Sequence, residues 1–407
     1  MYENIVLVAI FILVYSSVAG VVERSWISGP IIYTCFGLFI GKGGLDLLSW
    51  DTNHETIRNL AEFTLALVLF TDAASANMLT LKKSSTLPAR LLLIGLPLTI
   101  LLGYGLGELI FDGVSLFAIA LLATMLAPTD AALGKAVITN QAIPDKVRQA
   151  LNIESGLNDG LCVPVLFVFL ALELDQVSGN ATGLLALKLV IEEIGIGLAV
   201  GLPLTFLASR LLTIAWRRDW LTTTWIQIPV VALALLCYTL AQYLGGSGFI
   251  AAFSGGLLFG VLEKNMREKF LRAAEGTGDT LALITWVIFG AAISGKVLSS
   301  FSWPVFLYAV LSLTVIRMLP VFLAFTGSGI STEGKLFIGW FGPRGLASIV
   351  FAVIVLSHKL PDNDPIILTV AWTIILSIIA HGITANPWAA AYGRRRQQSQ
   401  QRQIDKD

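Results

Sequence analysis

Charged residues are scarce in this sequence of 407 residues, of which 13% are Asp, Glu, Lys or Arg. Soluble globular domains carry about 25%. The 27 basic and 27 acidic residues cancel, so no excess of positive charge is available. This balance excludes a nucleic-acid binder that works through a basic surface. Because 56% of the residues are hydrophobic, the composition instead indicates a polytopic membrane protein in contact with the lipid bilayer.

Cysteine and long polar segments are also rare. Cys35, Cys162 and Cys237 each lie alone in an apolar run, without the paired spacing that a zinc site or a redox pair needs. The longest predicted loop covers about residues 42–56, which leaves no room for a soluble domain. The function is therefore expected in or across the membrane.

Long apolar runs dominate the chain. A transmembrane helix needs about 20 mostly apolar residues. Dividing the chain at its charged or Gly-rich loops predicts thirteen spans and an all-α fold. The spans are 3–22, 26–41, 57–77, 86–111, 115–137, 146–172, 183–210, 224–244, 246–262, 280–294, 301–326, 334–357 and 365–391. Residues 392–407 are predicted to form a short tail.

The distribution of basic residues predicts the orientation of these spans. With the N-terminus outside, twenty Lys and Arg residues fall on the cytoplasmic side and four on the outer side. Cytoplasmic loops are enriched in Lys and Arg. We therefore predict an outer N-terminus and a cytoplasmic C-terminus.

A few ionisable residues fall deep within the predicted spans, where each costs at least about 2.5–3.5 kcal/mol on insertion scales. Asp72, Asp130 and Asp159 reach similar depths near the middle of the membrane when each residue rises 1.5 Å. Three carboxylates at one depth repel one another unless a cation or a proton lies between them. This convergence predicts a site for a cation and a proton.

The sixth span contains two polar faces. Ser155 and Asp159 are four residues apart and share one face, so they offer hard oxygen ligands for an alkali cation. Glu154 lies on the neighbouring face with Asn158. We predict a structural ion pair between Glu154 and Arg344, which enters the twelfth span from the same side.

Two proline-containing segments predict interrupted helices. Pro128 lies before Thr129 and Asp130 in the fifth span, and Pro343 lies before Arg344 in the twelfth. Proline removes a backbone donor and frees carbonyls of the preceding turn. Because the breaks are seven spans apart, the two helices run in opposite directions, as in inverted-topology repeats. An acid at one break and an arginine at the other can neutralise the exposed helix ends.

On these residues the sequence resembles the cation:proton antiporter superfamily, in the branch of the NhaP antiporters and sodium–proton exchangers, over nearly its whole length. The resemblance implies two inverted six-helix repeats with crossed broken helices in a transmembrane antiporter domain, residues 1–391. It also implies a homodimer in the inner membrane of a bacterium, with a dimerisation part in spans 1–3 and 8–10 and a mobile core in spans 4–6 and 11–13.

The resemblance also assigns roles to residues. Asp159 becomes the essential carrier of the cation and the proton. The other residues implied at the site are Thr129, Asp130, Ser155, Asn158 and Asp72. Asn158 and Arg317 resemble the electroneutral branch, and Arg317 is expected to compensate a helix dipole. We expect one Na⁺ or Li⁺, held by Asp159, Ser155 and Thr129, to exchange for one H⁺ without any cofactor.

Three alternatives remain at this point. K⁺/H⁺ exchange fits the same residues because the ligand types do not determine cation size. A channel fits the buried acids, although paired broken helices favour alternating access. Gly245-Gly246-Ser247-Gly248 matches the nucleophile pattern of an intramembrane serine protease, with His381 as the only histidine inside a predicted span. Ser247 and His381 are predicted on opposite sides of the membrane, which disfavours a protease.

Overall fold

The computed structural model describes residues 2–22, 25, 27–42, 44–47, 54–76, 86–130, 133, 135–138, 140, 143–177, 183–222, 224–264, 266–291, 300–361 and 363–404. Regular structure in these residues is helical, and no strand occurs among them, as predicted. Some basic residues that entered the orientation count lie outside the described ranges, namely Arg24, Lys82, Lys83, Lys296 and Lys406.

The helices follow the predicted spans in order. They are α1 (Tyr2–Val22), α2 (Gly29–Ile40), α3 (His54–Ser75), α4 (Thr86–Ile110), α5 (Leu116–Met125), α6 (Lys135–Ile138), α7 (Asp145–Val177), α8 (Gly183–Arg217), α9 (Pro229–Tyr243), α10 (Gly248–Leu262), α11 (Arg267–Phe289), α12 (Trp303–Ala324, interrupted at Thr314), α13 (Thr332–Trp340), α14 (Leu346–Ser357) and α15 (Asn363–Ile404). Among the described helices, seven are long and apolar enough to cross a membrane. Four shorter apolar helices, α2, α5, α10 and α14, accompany them.

Two predicted boundaries are wrong. The tenth span was predicted at 280–294, but α11 begins at Arg267. Its first turns carry Arg272, Glu275 and Asp279 on an exposed face, so their composition resembles that of a loop. The last span was predicted to end at residue 391, but α15 continues to Ile404 as a polar helix. The assignment of residues 392–407 to a short cytoplasmic tail stays a prediction.

The predicted breaks in the fifth and twelfth spans are confirmed. The fifth span consists of α5, an extended segment with Pro128, and α6. The twelfth consists of α13, non-helical residues 341–345, and α14. Ser348 of α14 donates a hydrogen bond of 2.7 Å to the carbonyl of Met125 at the end of α5. The two interrupted helices therefore cross next to their breaks.

Close helix packing surrounds this crossing. A Cβ on Gly256 of α10 would lie 2.3 Å from the carbonyl oxygen of Phe70 in α3. A Cβ on Gly201 of α8 would lie 2.3 Å from the carbonyl oxygen of Ala251. Small residues let helix backbones touch, which provides van der Waals contact where lipid removes the hydrophobic driving force. The contact at Gly256 fixes α3 against α10, which places Asp72 of α3 beside α7. The contact at Gly201 fixes α8 against α10.

Candidate functional site

Arg344 neutralises the carboxyl end of α5. Its Nη1 atom donates hydrogen bonds to the carbonyl oxygens of Ala127 at 2.5 Å and Pro128 at 3.0 Å. These carbonyls follow the last turn of α5, where no further helical N–H is available to them. The arginine is completely buried, so its charge acts in a medium of low dielectric. The guanidinium thus compensates the negative end of the half-helix.

Asp130 compensates the positive amino end of α14. Its Oδ2 atom accepts a hydrogen bond of 2.8 Å from the backbone N–H of Leu346, and Oδ1 accepts one of 3.3 Å from Leu133. The N–H of Asp130 donates to the carbonyl of Pro343 at 2.7 Å. An acid near a helix N-terminus is stabilised by the helix dipole. The predicted neutralisation of two helix ends by an acid and an arginine is therefore observed, whereas a direct role of Asp130 in binding a cation stays a prediction.

A second polar group lies where α7 passes the crossing. Asn158 donates a hydrogen bond of 2.7 Å to the hydroxyl of Thr129, and both side chains are buried. Asp159 is 7% exposed. Among the described residues, its Oδ1 atom has no hydrogen-bond partner. A buried carboxylate without partners is costly unless a proton or a cation compensates it.

Ser155 joins this group through a small cavity. Thr129, Asp130 and Ser155 line one narrow space beside the break, together with Pro343. The Ser155 hydroxyl donates only a long hydrogen bond of 3.3 Å to the carbonyl of Asn152 one turn earlier. Its oxygen lone pairs are therefore available to a ligand in the cavity.

Asp72 approaches from α3 on the side of α7 that carries Gly156. A Cβ on this glycine would lie 3.6 Å from the Cβ atom of Asp72, so the two helices are in direct contact there. Asp72 is half-buried. Its carboxylate is close enough to those of Asp130 and Asp159 to repel them. The three acids that the sequence predicted at one depth are thus neighbours.

The predicted Glu154–Arg344 ion pair is wrong. Glu154 pairs with Arg317 instead, through two hydrogen bonds from Nη1 at 2.5 Å and Nη2 at 2.8 Å. Arg317 reaches past the break of the twelfth span at Gly342, where a Cβ would lie 2.2 Å from its Nε atom. The missing side chain at the break therefore opens the path for Arg317.

Arg317 and Arg344 have exchanged the roles that were predicted for them. Arg317 was expected to compensate a helix dipole, but it neutralises the buried carboxylate of Glu154. Arg344 was expected to pair with that acid, but its guanidinium binds the carbonyls of Ala127 and Pro128, which follow α5. Each guanidinium therefore binds the acceptor groups nearest to it, which are the Glu154 carboxylate for Arg317 and the two carbonyls for Arg344.

Ser377 and His381 of α15 were missed as contributors to the site. Ser377 accepts a hydrogen bond of 2.7 Å from the backbone N–H of Arg344. His381 lies with Nε2 2.8 Å from the carbonyl oxygen of Trp340, the last residue of α13. Both side chains are buried. The signal available in the sequence was that His381 is the only histidine inside a predicted span.

The protease pattern finds no support in these positions. The Ser247 hydroxyl accepts a hydrogen bond of 3.4 Å from the N–H of Ile250 and caps the start of α10. His381 is bonded within α15 and to α13 instead. The serine and the histidine therefore serve as structural groups in separate helices.

The described groups can bind a small cation or a proton. Asp159 supplies negative charge, and Thr129 and Ser155 supply neutral oxygens near it. Such oxygens are the ligands that hard cations prefer. The two arginines of the core are bound to other groups, so neither of them neutralises Asp159.

Comparison with known proteins assigns this arrangement to a family. A family model described as "Sodium/hydrogen exchanger, transmembrane" matches residues 6–391. The "K(+)/H(+) antiporter NhaP" of Alkalimonas amylolytica is 24% identical over 393 residues, which are 95% of this chain. A "Na(+)/H(+) antiporter" of Schizosaccharomyces pombe is 25% identical over 317 residues, which are 69% of this chain. The chain spans 66% of the length of each of these two relatives.

A solved structure has the same fold. The sodium proton antiporter MjNhaP1 from Methanocaldococcus jannaschii, determined at pH 8, superposes with a TM-score of 0.76. The match covers 94% of this chain and 99% of that chain, at 22% sequence identity. The predicted antiporter fold with crossed broken helices is confirmed.

Proposed function

The chain belongs to the family of transmembrane sodium/hydrogen exchangers, and on this premise we propose that it exchanges a monovalent cation for H⁺ across a membrane. One observation carries the proposal. Asp159 is a buried carboxylate whose Oδ1 atom has no partner among the described residues, while Glu154 is paired with Arg317 and Asp130 accepts two backbone hydrogen bonds. An acid kept uncompensated at this position requires an exchangeable positive charge.

Asp159 binds either the cation or the proton, never both. A proton on the carboxylate removes the charge that attracts the cation, so the two ions compete. The occupied site is close to neutral and can pass through the low-dielectric part of the membrane, whereas the empty carboxylate cannot. The two ion fluxes are coupled because only an occupied site changes sides.

The neighbouring residues complete the cation site. Thr129 and Ser155 provide neutral oxygens beside Asp159, and Asn158 orients the Thr129 hydroxyl through its hydrogen bond of 2.7 Å. The amide proton holds the hydroxyl with a lone pair available for a ligand. Asp72 and Asp130 add negative potential from the two sides of α7.

We infer an exchange of one cation for one proton. Glu154 is neutralised by Arg317, and the carboxylate of Asp130 accepts two backbone hydrogen bonds at a helix end. We assign the exchanged charge to Asp159, because it is the buried acid with an unpartnered oxygen among the described residues, and Asn158 next to it is neutral. One charge enters as one charge leaves, so the exchange is independent of membrane potential.

Na⁺ or Li⁺ is the proposed substrate, and K⁺ is the competing candidate. The name of the A. amylolytica relative specifies K⁺, and that of the S. pombe relative specifies Na⁺. Cation-driven proton flux in liposomes that contain a pH-sensitive dye, measured in turn with NaCl, LiCl and KCl, separates them. A proton flux with KCl that exceeds the fluxes with NaCl and LiCl would make K⁺ the substrate in place of Na⁺ or Li⁺.

The test of the function is Asp159→Asn in the same liposomes. This change keeps the size of the side chain but removes its charge, and we expect the flux to fall at least about 100-fold because cation binding and proton release are both lost. Asp219→Asn is the matched control, because Asp219 is exposed in a turn whose φ of 54° asparagine also adopts. Retained flux in Asp159→Asn, with active wild-type protein, would refute the mechanism.

The chain spans a membrane, and we propose an outer N-terminus and a cytoplasmic C-terminus in the bacterial inner membrane. We also propose a homodimer with a mobile core. Packing supports two groups of helices, since α3 packs against α9, α10 and α11 and α2 packs against α11, while α5 and α12 each pack against α4 and α15. Labelling of single cysteines at the exposed positions 3 and 394 from each side tests the orientation. The mass of the purified protein in detergent tests the dimer.

A further inference from the structure

Two ends of the broken twelfth span meet at α15. Residues 341–345 separate α13 from α14 and belong to neither helix. Ser377 accepts the N–H of Arg344, after the break, and His381 contacts the carbonyl of Trp340, before it. A third contact comes from Thr384, which accepts a hydrogen bond of 2.9 Å from the Trp340 indole.

The contacts of the imidazole ring favour one neutral tautomer. Ser377 already accepts from Arg344, so its own proton needs an acceptor, and Nδ1 of His381 lies 3.1 Å away. When Nδ1 accepts, the proton of the neutral ring is on Nε2. This N–H donates to the carbonyl of Trp340 at 2.8 Å. A continuous chain of donors and acceptors then joins Arg344 to Trp340.

The alternative protonation states fit the surroundings less well. A proton on Nδ1 alone would leave Nε2 facing the carbonyl of Trp340, with two acceptors opposed. A doubly protonated ring could donate to the carbonyls of Ser377 and Trp340, but it would add a positive charge that interacts with the guanidinium groups of Arg344 and Arg317. The neutral ring with its proton on Nε2 keeps the contacts to the Ser377 hydroxyl and to Trp340 without that repulsion, and it leaves Nδ1 2.9 Å from the carbonyl oxygen of Ser377.

We propose that His381, in this neutral form, is a positioning residue that holds the break of the twelfth span in the geometry required for cation binding. It does not touch the cation. It acts through Arg344, whose guanidinium binds the carbonyls of Ala127 and Pro128 directly before Thr129. A shift of the Arg344 backbone would therefore move Thr129 relative to Asp159.

Three variants separate the two hydrogen bonds of the ring. His381→Asn keeps an acceptor at the position of Nδ1, His381→Gln keeps a donor at the position of Nε2, and His381→Leu keeps neither. We expect His381→Leu to raise the KM for the cation about tenfold, as for the loss of a buried hydrogen bond, with kcat within about twofold of wild type. Gln and Asn should restore KM to within about threefold.

His358→Gln is the matched control, because His358 lies in the turn after α14 and is exposed. Its KM should equal that of wild type. The proposal is overturned if His381→Leu has a wild-type KM, or if Leu, Gln and Asn reduce kcat alike without changing KM, which would indicate a purely structural role. Should the Leu variant fail to purify as a folded protein, the spectroscopic measurement of the ring in the wild-type protein decides instead.

A spectroscopic measurement tests the ring without transport. The chain contains three histidines, so ¹⁵N-histidine labelling gives few resonances, and the loss of one in His381→Gln identifies the buried ring. We expect the shifts of a neutral ring protonated on Nε2 at pH 8. A ring protonated on Nδ1, or on both nitrogens, would contradict the proposal. The KM measurements rest on the proposed function, because inactive wild-type protein would refute that function. The NMR result would still decide the protonation state of His381.

Discussion

Glu154 and Asp159 lie on the same buried stretch of α7, yet their surroundings differ completely. Glu154 is 2% exposed, and both of its oxygens are bound by Arg317. Asp159 is 7% exposed, and its Oδ1 atom has no partner among the described residues. A charge that serves the fold is compensated permanently by the protein. The charge proposed to serve transport is left for an ion that arrives and departs.

The crossing of α5 and α14 belongs with Glu154 in this comparison. Arg344 and Asp130 neutralise opposite helix ends with hydrogen bonds to the backbone. Their charges are therefore part of the scaffold that holds Thr129 next to Asp159. The comparison predicts that changes to the compensated charges reduce stability, whereas changes at Asp159 reduce ion binding.

Removal of Arg317 should have the largest effect on stability. Arg317→Leu leaves Glu154 buried without its partner, and loss of one member of a buried pair costs roughly 3–5 kcal/mol. Chemical unfolding of the purified protein in detergent measures this change. The double variant Arg317→Leu/Glu154→Gln should recover most of it, and Arg217→Leu at the exposed end of α8 should have little effect. Equal destabilisation by Arg317→Leu and Arg217→Leu would contradict the role of the Arg317–Glu154 pair.

The response of stability to cations should be lost in Asp159→Asn. A ligand that binds only the folded protein at 100 times its Kd stabilises it by about 2.7 kcal/mol. Wild-type protein should therefore unfold later with increasing NaCl at constant ionic strength, with choline chloride as the balancing salt. Asp159→Asn should show no such response. Its stability without Na⁺ should be at least that of wild type, since a buried charge is removed; a large loss would instead place Asp159 among the structural charges.

Arg344→Met should destabilise the crossing by about 2 kcal/mol, because the carbonyls of Ala127 and Pro128 lose a charged donor. Methionine fills much of the same volume without hydrogen bonds. The same unfolding assay applies, and Arg344→Lys, which keeps the charge, is the control. If Met and Lys destabilise equally, the charge at the end of α5 has no importance.

Thr129→Val should have the smallest effect of this series, a rise of about tenfold in the cation KM, or about 1.4 kcal/mol. Valine has nearly the shape of threonine but no hydroxyl, so Asn158 loses its acceptor and the cation loses a ligand. Proton flux against cation concentration in liposomes measures it. Thr129→Ser, which retains the hydroxyl, should remain close to wild type; failure of both variants would indicate a packing role.

Much of the site could be predicted from the sequence because its elements have local causes. Pro128 and Pro343 interrupt helices wherever those helices lie. Deep acids such as Asp72 and Asp159 are unusual enough in an apolar chain to be noticed individually. The start of α11 could not be found in the same way, because its exposed charged face gives a helix the composition of a loop.

The partners of the charges could not be predicted in this way. Arg317 and Arg344 lie in adjacent predicted spans at similar depth, so depth alone did not distinguish which of them reaches Glu154. The choice depends on the rotation of each helix and on the gap at Gly342. His381 was noticed but received no role, since nothing near it in sequence reveals Trp340 as its partner.

Composition and periodicity by themselves determined that this is a helical membrane protein, where its helices break and which acids lie within the membrane. These features follow from the cost of exposing polar groups to lipid and from the chemistry of single residues. Only the tertiary structure decided that Arg317 neutralises Glu154, that Arg344 binds the end of α5, and that Asp159 keeps an oxygen without a partner among the described residues. Hydrogen bonds extend about 3 Å, and which groups come within that reach is set by the crossing of helices far apart in sequence.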